Sequence, residues 1–153
     1  MTVARQYCTF TLAGHLFGID VLRVQEVLTA MPLTRVPMAP PDVAGLLNLR
    51  GHVVPALDLR TRLSLPPRAP GAPTMMVVIR TDEGPVSLLV DEIGQVTDPD
   101  PGTFERPPDT LKGAVRELIP GAYKLKDRLL LALDVDRLLA PEPVAQAEEE
   151  PTE

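Results

Sequence analysis

Short apolar runs with a two-residue alternation, separated by turns rich in glycine, proline and aspartate, dominate the hydrophobic pattern of this chain. Residues 7–12 alternate between apolar and polar side chains, which predicts a half-buried strand. Residues 13–15 form a turn signal, and residues 16–19 are typical of the returning arm of a hairpin. The apolar face of the first strand would hold Cys8, Phe10 and Leu12.

Two further apolar runs, residues 46–49 and 53–57, flank an Asn-Leu-Arg-Gly turn at residues 48–51. Each run has the length of a buried strand, and Gly51 supplies the conformational freedom that a tight reversal needs. The turn places Arg50, a fixed cation with a planar fork of donors, where two core strands meet the surface.

Prolines limit several of the predicted strands. Pro55 removes one backbone donor, so we expect its strand to be an edge strand or to carry a bulge there. Residues 31–37 are bounded by prolines and are typical of an edge strand. Two further hairpins are predicted, 74–79 with 86–90 and 118–125 with 128–133, and two proline-rich loops, 65–73 and 98–109.

An aspartate follows an apolar strand at Asp20, Asp58 and Asp134, where it can cap the helical turn that comes next. After the first of these, Val21, Val24 and Leu28 fall on one helical face, which predicts a short amphipathic helix over residues 21–28. A last helix is predicted to end near Leu139. We find no repeat of fixed period, so a solenoid is not predicted.

Many short strands with tight turns and a few short helices, without βαβ alternation, predict a mainly β chain built as antiparallel barrels or a sandwich. The length of 153 residues fits one domain, which we place at residues 1–140. Residues 141–153 have the low hydrophobicity of a disordered acidic tail.

Charge and composition exclude several classes of function. The net charge is -6, but the five glutamates after Arg137 leave 16 acidic residues against 15 basic ones in the body of the chain. Aromatic residues make up only 3%, so a nucleic-acid binder with a basic face and stacking platforms is not predicted. The single Cys8 is expected to be buried, and without a leader or a membrane-spanning run we expect a cytoplasmic protein.

The sequence does not contain a set of residues adequate for a catalytic site. His15 and His52 lie in or beside turns without a third ligand nearby, so surface histidines are the better interpretation. Asp91 and Glu92 are neighbours that point to opposite faces of a strand, which argues against a carboxylate dyad. We therefore predict neither an enzyme, nor a metal site, nor a cofactor.

A binding surface remains, and each of its candidate residues has a plainer interpretation. Helical periodicity alone favours Val21, Val24, Val27 and Leu28 as core residues. Glu26 fits a solvated face. Arg50 fits two roles equally well, a contact to a partner or a surface cap on a barrel.

Residues 17–27 and 48–60 closely resemble the CheW family of bacterial chemotaxis coupling proteins, and the resemblance continues through residues 89–93 and 121–139. It implies two small five-stranded SH3-like β-barrels packed side by side, with short helices and no catalytic activity. It also implies an adaptor between methyl-accepting chemoreceptors and a CheA-type histidine kinase, recruited to receptor arrays without direct membrane insertion.

The resemblance assigns residues by position to three contacts. The receptor-binding residues would be Val24, Glu26, Val27 and Arg50. The kinase-binding residues would be Gly45, Val43, Arg35 and Met38. A contact within receptor-array rings would involve Arg106, Asp109 and Thr110, although Thr110 stands where an aromatic residue is common. An amphipathic receptor helix in an apolar groove is a physically sensible binding mode.

Three rival hypotheses stay open. The same scaffold could serve another receptor-kinase system, such as surface motility or development, and the sequence does not separate these pathways. A regulatory module that binds a kinase but no chemoreceptor is a second rival. An unrelated small β-barrel for ligands or nucleic acid is a third, which the acidic charge and the few aromatic residues disfavour.

Overall fold

Ten strands and three short helices make up the protein, seen here in a computed structural model that describes residues 6–109 and 113–139. The strands are β1 (Tyr7–Leu12), β2 (His15–Asp20), β3 (Val24–Thr29), β4 (Val43–Leu49), β5 (His52–Asp58), β6 (Met75–Ile79), β7 (Val86–Val90), β8 (Glu92–Thr97), β9 (Gly121–Lys124) and β10 (Leu129–Ala132). The helices are α1 (Leu59–Arg62), α2 (Ala114–Leu118) and α3 (Val135–Leu139). The predicted acidic tail lies outside the described residues.

The strands form two five-stranded sheets, as the resemblance implied. The first sheet has the order β8-β1-β2-β10-β9 and the second sheet the order β3-β6-β7-β5-β4. The mainly β class is confirmed, but purely antiparallel pairing was wrong, because β2 pairs with β10 and β5 with β7 in parallel. Tight turns predict only strands that are neighbours in sequence, and both parallel pairs join strands separated by other elements.

The main hydrophobic core lies between the two sheets. It contains Phe10 and Phe17 from the first sheet and Val77 and Leu88 from the second, all fully buried or nearly so. Smaller clusters cover the other face of each sheet, one around Val54 and Met76 and one around Tyr7 and Tyr123. The hairpins β1–β2 and β6–β7 are therefore covered on both faces.

This double burial corrects the prediction for β1. We expected a half-buried strand, but Tyr7 and Thr9 on its second face are only 6% and 2% exposed. Thr9 is accommodated there because its hydroxyl donates to the carbonyl of Gln95 at 2.6 Å. The buried Cys8 is confirmed.

The predicted helix over residues 21–28 was wrong. Asp20 does cap a turn, accepting from the Leu22 amide at 2.9 Å, but that 3-10 turn covers only Val21–Arg23. The chain then continues as β3, which pairs antiparallel with β6. Positions 24 and 28 share a face in a helix as well as in a strand, and β-branched valines favour the strand.

Other local predictions had mixed outcomes. The hairpins 7–20, 46–57 and 74–90 are confirmed, as are the aspartate caps at Asp58 and Asp134. The third predicted hairpin is confirmed in shortened form as β9–β10, with residue 118 belonging to α2. Strand β8 and helix α2 were missed. Residues 31–37 do not form a strand but one isolated bridge, Thr34 to Leu46.

Pro55 shows why proline does not always mark a sheet edge. Its strand β5 lies inside the second sheet, so the edge prediction was wrong. The parallel pairing with β7 begins only at Ala56, after the proline, so the missing N–H falls outside that ladder. The register shift lies across the hairpin, on β4 between Val43 and Gly45.

The two halves of the chain have the same topology, although the sequence has no fixed-period repeat. Exchanging β1 to β5 for β6 to β10 converts the strand order of the first sheet into that of the second. Each half places its first two strands in one sheet and its last three in the other. The two sheets are therefore interlocked, since neither is built from one half alone.

Gly45 and Gly121 occupy equivalent positions in the two halves. A Cβ on Gly45 would lie 2.7 Å from the Thr34 carbonyl oxygen, and a Cβ on Gly121 would lie 2.7 Å from that of Glu105. Both carbonyls belong to isolated bridges, Thr34–Leu46 and Glu105–Ala122. Each glycine thus lets a connecting segment approach an edge strand at backbone distance.

We expect Gly45→Ala to destabilise the fold by about 2–4 kcal/mol, because it combines a positive φ of 154° with a backbone clash. Gly84→Ala is the matched control, since Gly84 also has a positive φ, 112°, but no atom within 4 Å of its Cβ position. The control should cost only about 1–2 kcal/mol. Urea unfolding measures both, and equal losses would contradict the close-approach role of Gly45.

Candidate functional site

Arg50 and Glu26 form a forked ion pair on the surface of the second sheet. Arg50 Nη1 donates to Glu26 Oε2 at 2.7 Å and Nη2 donates to Oε1 at 2.5 Å. The Arg50 side chain is 65% exposed, whereas that of Glu26 is 21% exposed. The two residues that the sequence assigned separately to a receptor contact are therefore bound to each other in the free protein.

The β4–β5 turn positions Arg50 for this contact. Arg50 and Gly51 both have positive φ, 52° and 86°, as a tight hairpin turn requires. The Asn48 side chain stabilises the turn by accepting a hydrogen bond from the Gly51 amide at 2.9 Å. A flexible arginine is thus held on a turn with a fixed backbone.

The ion pair also joins the two edges of the second sheet. Glu26 lies on edge strand β3, and Arg50 lies at the end of edge strand β4. The Thr34–Leu46 bridge links the segment after β3 to β4 as well, with both backbone hydrogen bonds at 2.8 Å. The role of Arg50 as a cap on the sheet therefore has direct structural support.

The electrostatics follow from the geometry of the pair. The hydrogen bonds from Arg50 lower the pKa of Glu26 below its ordinary value of 4.5, and the Glu26 carboxylate raises the pKa of Arg50. Both side chains are consequently charged at neutral pH.

The two valines predicted beside this pair differ in exposure, although both pair with β6 residues of the main core, Val24 with Ile79 and Val27 with Val77. Val24 is half-buried and packs against the main core between the sheets. Val27 is 44% exposed, since β3 is an edge strand. Among the predicted receptor-binding residues, Val27 and the Arg50–Glu26 pair are therefore accessible, whereas Val24 is partly covered.

Three of the four predicted kinase-binding residues line one surface cleft, which we call the Met38 cleft. Arg35, Met38 and Val43 lie around a volume of about 710 Å³. Met38 is 99% exposed and has a positive φ of 66° in a proline-rich loop. Gly45 is buried below the cleft, so it supports the loop through the Thr34 bridge and presents no side chain of its own.

The predicted ring contact corresponds by topology to the Met38 cleft. Because Thr34 and Glu105 form equivalent bridges, Arg106 follows its bridge as Arg35 does, and Asp109 lies four positions after its bridge, as Met38 does. Arg106 and Asp109 are both exposed. Thr110 lies outside the described residues. The sequence does not reveal this equivalence, because the two halves share their strand topology but no repeat of fixed period.

A second ionic cluster, centred on Asp91, was missed by the sequence analysis. Arg60 donates to the Asp91 carboxylate through Nε at 2.9 Å and Nη2 at 2.6 Å, and the Ala13 amide donates to it at 3.0 Å. Burial opposes ionisation of Asp91, but these hydrogen bonds lower its pKa below the ordinary 3.8. The signal was present, since Asp91 follows a strand as the capping aspartates do.

The chemically reactive residue types are dispersed. His15 and His52 are exposed, as predicted. Over residues 6–109 and 113–139, no three His, Cys, Asp or Glu residues gather as metal ligands would. Within the same ranges, none of the helices has the length and apolar character needed to cross a membrane.

Comparison with known proteins identifies the family. The model of the CheW-like domain matches residues 6–142. The chain belongs to the CheW-like family. The chemotaxis protein CheW of Bacillus subtilis is 31% identical over 133 residues, covering 87% of this chain and 85% of the relative. That of Klebsiella aerogenes is 29% identical over 144 residues, covering 94% and 87%.

A solved structure supports the fold of this family member. The scaffolding protein TtCheW from Thermoanaerobacter tengcongensis has a TM-score of 0.79 and 24% identity, covering 93% of this chain and 92% of that one. At this identity the likeness concerns the fold alone. The family membership confirms the prediction that the chain is not an enzyme, since CheW proteins are non-catalytic adaptors.

We expect the Glu26 carboxylate to titrate at a lower pH in the wild type than in Arg50→Ala, because the variant lacks the hydrogen bonds that favour the charged form. Since the folded-state pKa is lowered, the pair stabilises the fold above the unfolded-state pKa, and this is lost as the pH falls through the folded-state pKa. Carbon-13 NMR titration measures the shift. Identical titration curves would mean that the pair does not persist in solution.

Proposed function

We propose that this chain is a chemotaxis adaptor that couples chemoreceptor tips to a CheA-type histidine kinase in the cytoplasm. The match to the CheW-like domain over residues 6–142 and the relatives named chemotaxis protein CheW support the scaffold role. The observation that carries the finer proposal is the exposed, preorganised Arg50–Glu26 pair beside Val27. Recruitment to receptor arrays at the membrane is part of the same proposal.

The Arg50–Glu26 pair would bind the receptor as one unit. A guanidinium has five N–H donors, and Glu26 engages Nη1 and Nη2 once each, so other donors stay available to carboxylates or carbonyls of a docked helix. Glu26 fixes the orientation of Arg50, which lowers the conformational entropy lost on binding. Val27 would contribute apolar contact beside the pair.

The Met38 cleft would bind the kinase. Methionine is flexible and polarisable, and a fully exposed one adapts to apolar partner surfaces. Its loop is restrained by neighbouring prolines, so little backbone entropy would be lost on binding. Arg106 and Asp109, in the equivalent position of the other half, would provide the contact within receptor-array rings.

We expect Arg50→Ala and Glu26→Ala each to weaken receptor binding about tenfold or more while leaving kinase binding unchanged, because charge-assisted hydrogen bonds contribute about 1.5–3 kcal/mol. If the pair acts as a unit, the double variant should lose no more than the worse single variant. The measurement is receptor-dependent kinase activation in a reconstituted system, with a kinase-binding titration and a thermal melt of each variant.

Arg128→Ala is the matched control, since Arg128 is an exposed arginine in the β9–β10 turn, the equivalent turn of the other sheet. It should activate like the wild type. If Arg50→Ala melts far below the wild type, Arg50 is a cap of the sheet and the receptor assignment fails. Normal melting together with full activation would also reject the assignment.

We expect Met38→Glu to weaken kinase binding at least tenfold without lowering the melting temperature, because a charge would have to be desolvated against an apolar partner surface. Leu22→Glu is the control, since Leu22 is also apolar and 77% exposed but lies away from the cleft. Calorimetry with the regulatory domain of the kinase gives both affinities. Equal affinities for the two variants would place the kinase contact elsewhere.

A module that binds a kinase without a chemoreceptor is the second candidate. The exposure of Met38, beside a cleft independent of the Arg50–Glu26 pair, is the observation that keeps it open. An affinity capture from the native lysate separates the two, since only the adaptor recovers a chemoreceptor with the kinase. The same experiment identifies whether the pathway serves chemotaxis, surface motility or development.

A further inference from the structure

The segment that connects the two halves of the chain, residues 65–73, lies across the surface at one junction between the sheets. We call this segment the strap. It contains four prolines, and its residues at positions 66, 67, 69–71 and 73 are exposed. Prolines restrict the backbone, so the strap has few conformations available even when nothing holds it down.

The contacts of the strap with the body of the protein are concentrated at its start, where Leu65 packs against the main core and its amide donates to the Arg60 carbonyl at 2.7 Å. The Pro66 carbonyl accepts a hydrogen bond from Arg60 Nη1 at 2.7 Å, close to where the strap begins. Arg68, at its centre, is the one strap residue with a charged side chain, and that side chain is only 14% exposed. Its Nη2 atom donates to Asp91 Oδ1 at 3.4 Å.

Asp91 does not depend on Arg68. The two bonds from Arg60 and the bond from the Ala13 amide, all between 2.6 and 3.0 Å, already occupy the carboxylate. These bonds tie the β1–β2 turn of the first sheet to α1 and to the β7–β8 connection of the second. The bonds that join the two sheets at this junction would therefore persist if the Arg68 side chain moved away.

Arg68 is incompletely satisfied where it lies. Its Nε atom is buried and has no hydrogen-bond partner, and its contact to Asp91 is at the long end of the hydrogen-bond range. Release into water would hydrate the Nε–H and the rest of the guanidinium. The gain in hydration would offset the weak contact that is lost, so the Arg68–Asp91 contact by itself is a weak latch.

The equivalent junction in the other half carries a related ion pair. There α3, the β6–β7 turn and the 3-10 turn after β2 surround an open cleft of about 820 Å³. Arg23 and Asp136 form an ion pair at 2.9 Å in it, in the place that Arg60 and Asp91 take at the covered junction.

We propose that residues 65–73 are a releasable strap, latched across the junction of the two sheets by Arg68 on Asp91, whose opening exposes Arg60 and Asp91 while both sheets stay folded. A cavity of about 240 Å³ lined by Arg60, Asp91, Ala72 and Pro73 already lies beneath one end of the strap. The inference does not depend on the proposed adaptor function.

Cleavage by trypsin measures directly whether Arg68 is held against Asp91. Arg68–Ala69 is the one tryptic bond in the strap, whereas Leu65, Ala69 and Ala72 are each followed by proline, which blocks cleavage by proteases of apolar specificity. A latched Arg68 is inaccessible to the protease. The rate of cutting at this bond, followed by intact mass and divided by the rate on a synthetic peptide of residues 63–75, therefore reports the open fraction.

We expect the wild type to be cut at least tenfold more slowly than the peptide, and Asp91→Asn to be cut at least fivefold faster than the wild type. Asp82→Asn is the control, since Asp82 is an exposed aspartate in the β6–β7 turn, and it should match the wild type. Wild-type cutting at the peptide rate, or equal rates in Asp91→Asn and Asp82→Asn, would overturn the proposal.

The Arg68→Lys variant tests the proposed latch if the Asp91→Asn variant does not fold. This variant keeps the tryptic site, the positive charge and the Arg60–Asp91 contact, but an ammonium is more strongly hydrated and lacks the fork. Relative to a peptide carrying the same lysine, it should be cut at least threefold faster than the wild type, at an unchanged melting temperature. An unchanged normalised rate rejects the latch.

Discussion

The apolar layer between the two sheets is the constraint on which the rest of the structure depends. The hairpins β1–β2 and β6–β7 both contribute fully buried side chains to it, including Phe10, Phe17, Val77 and Leu88. Each such side chain stabilises the fold by about 1.5–3 kcal/mol relative to full exposure. Because β3 and β8 each leave their own hairpin and join the opposite sheet, the layer also fixes where the outer strands can lie.

This interlocked arrangement gives a rigid body with surfaces at defined positions. Glu26 lies on the strand that crosses from the first sheet to the second, and Arg50 lies on a hairpin that belongs to the second sheet alone. Their ion pair forms only when the crossing strand is correctly placed. A partner that binds the pair would therefore sense the position of β3 relative to the β4–β5 hairpin, which is a useful property for an adaptor.

Local chemistry was predictable from the sequence, and distant pairing was not. The turn at Arg50 and Gly51 and the capping aspartates follow from interactions between residues close in sequence. The Glu26–Arg50 pair spans 24 positions, and the bond between Arg60 and Asp91 spans 31. No periodicity encodes such contacts. The helix predicted over residues 21–28 was wrong for a related reason. Helix and strand patterns overlap there, and the pairing with β6 decides between them.

The equivalence of the two halves in topology contrasts with their difference in chemistry. Met38, fully exposed and apolar, corresponds to the acidic Asp109, and the arginine on α1 that binds Asp91 corresponds to an aspartate on α3 that binds Arg23. The strap lies over one junction between the sheets, beside the cavity that Arg60 and Asp91 line. Two equivalent surfaces with identical side chains would bind the same partner twice. With an apolar side chain on one and an acidic side chain on the other, the same backbone presents two chemically different surfaces, as discrimination between two partners would require.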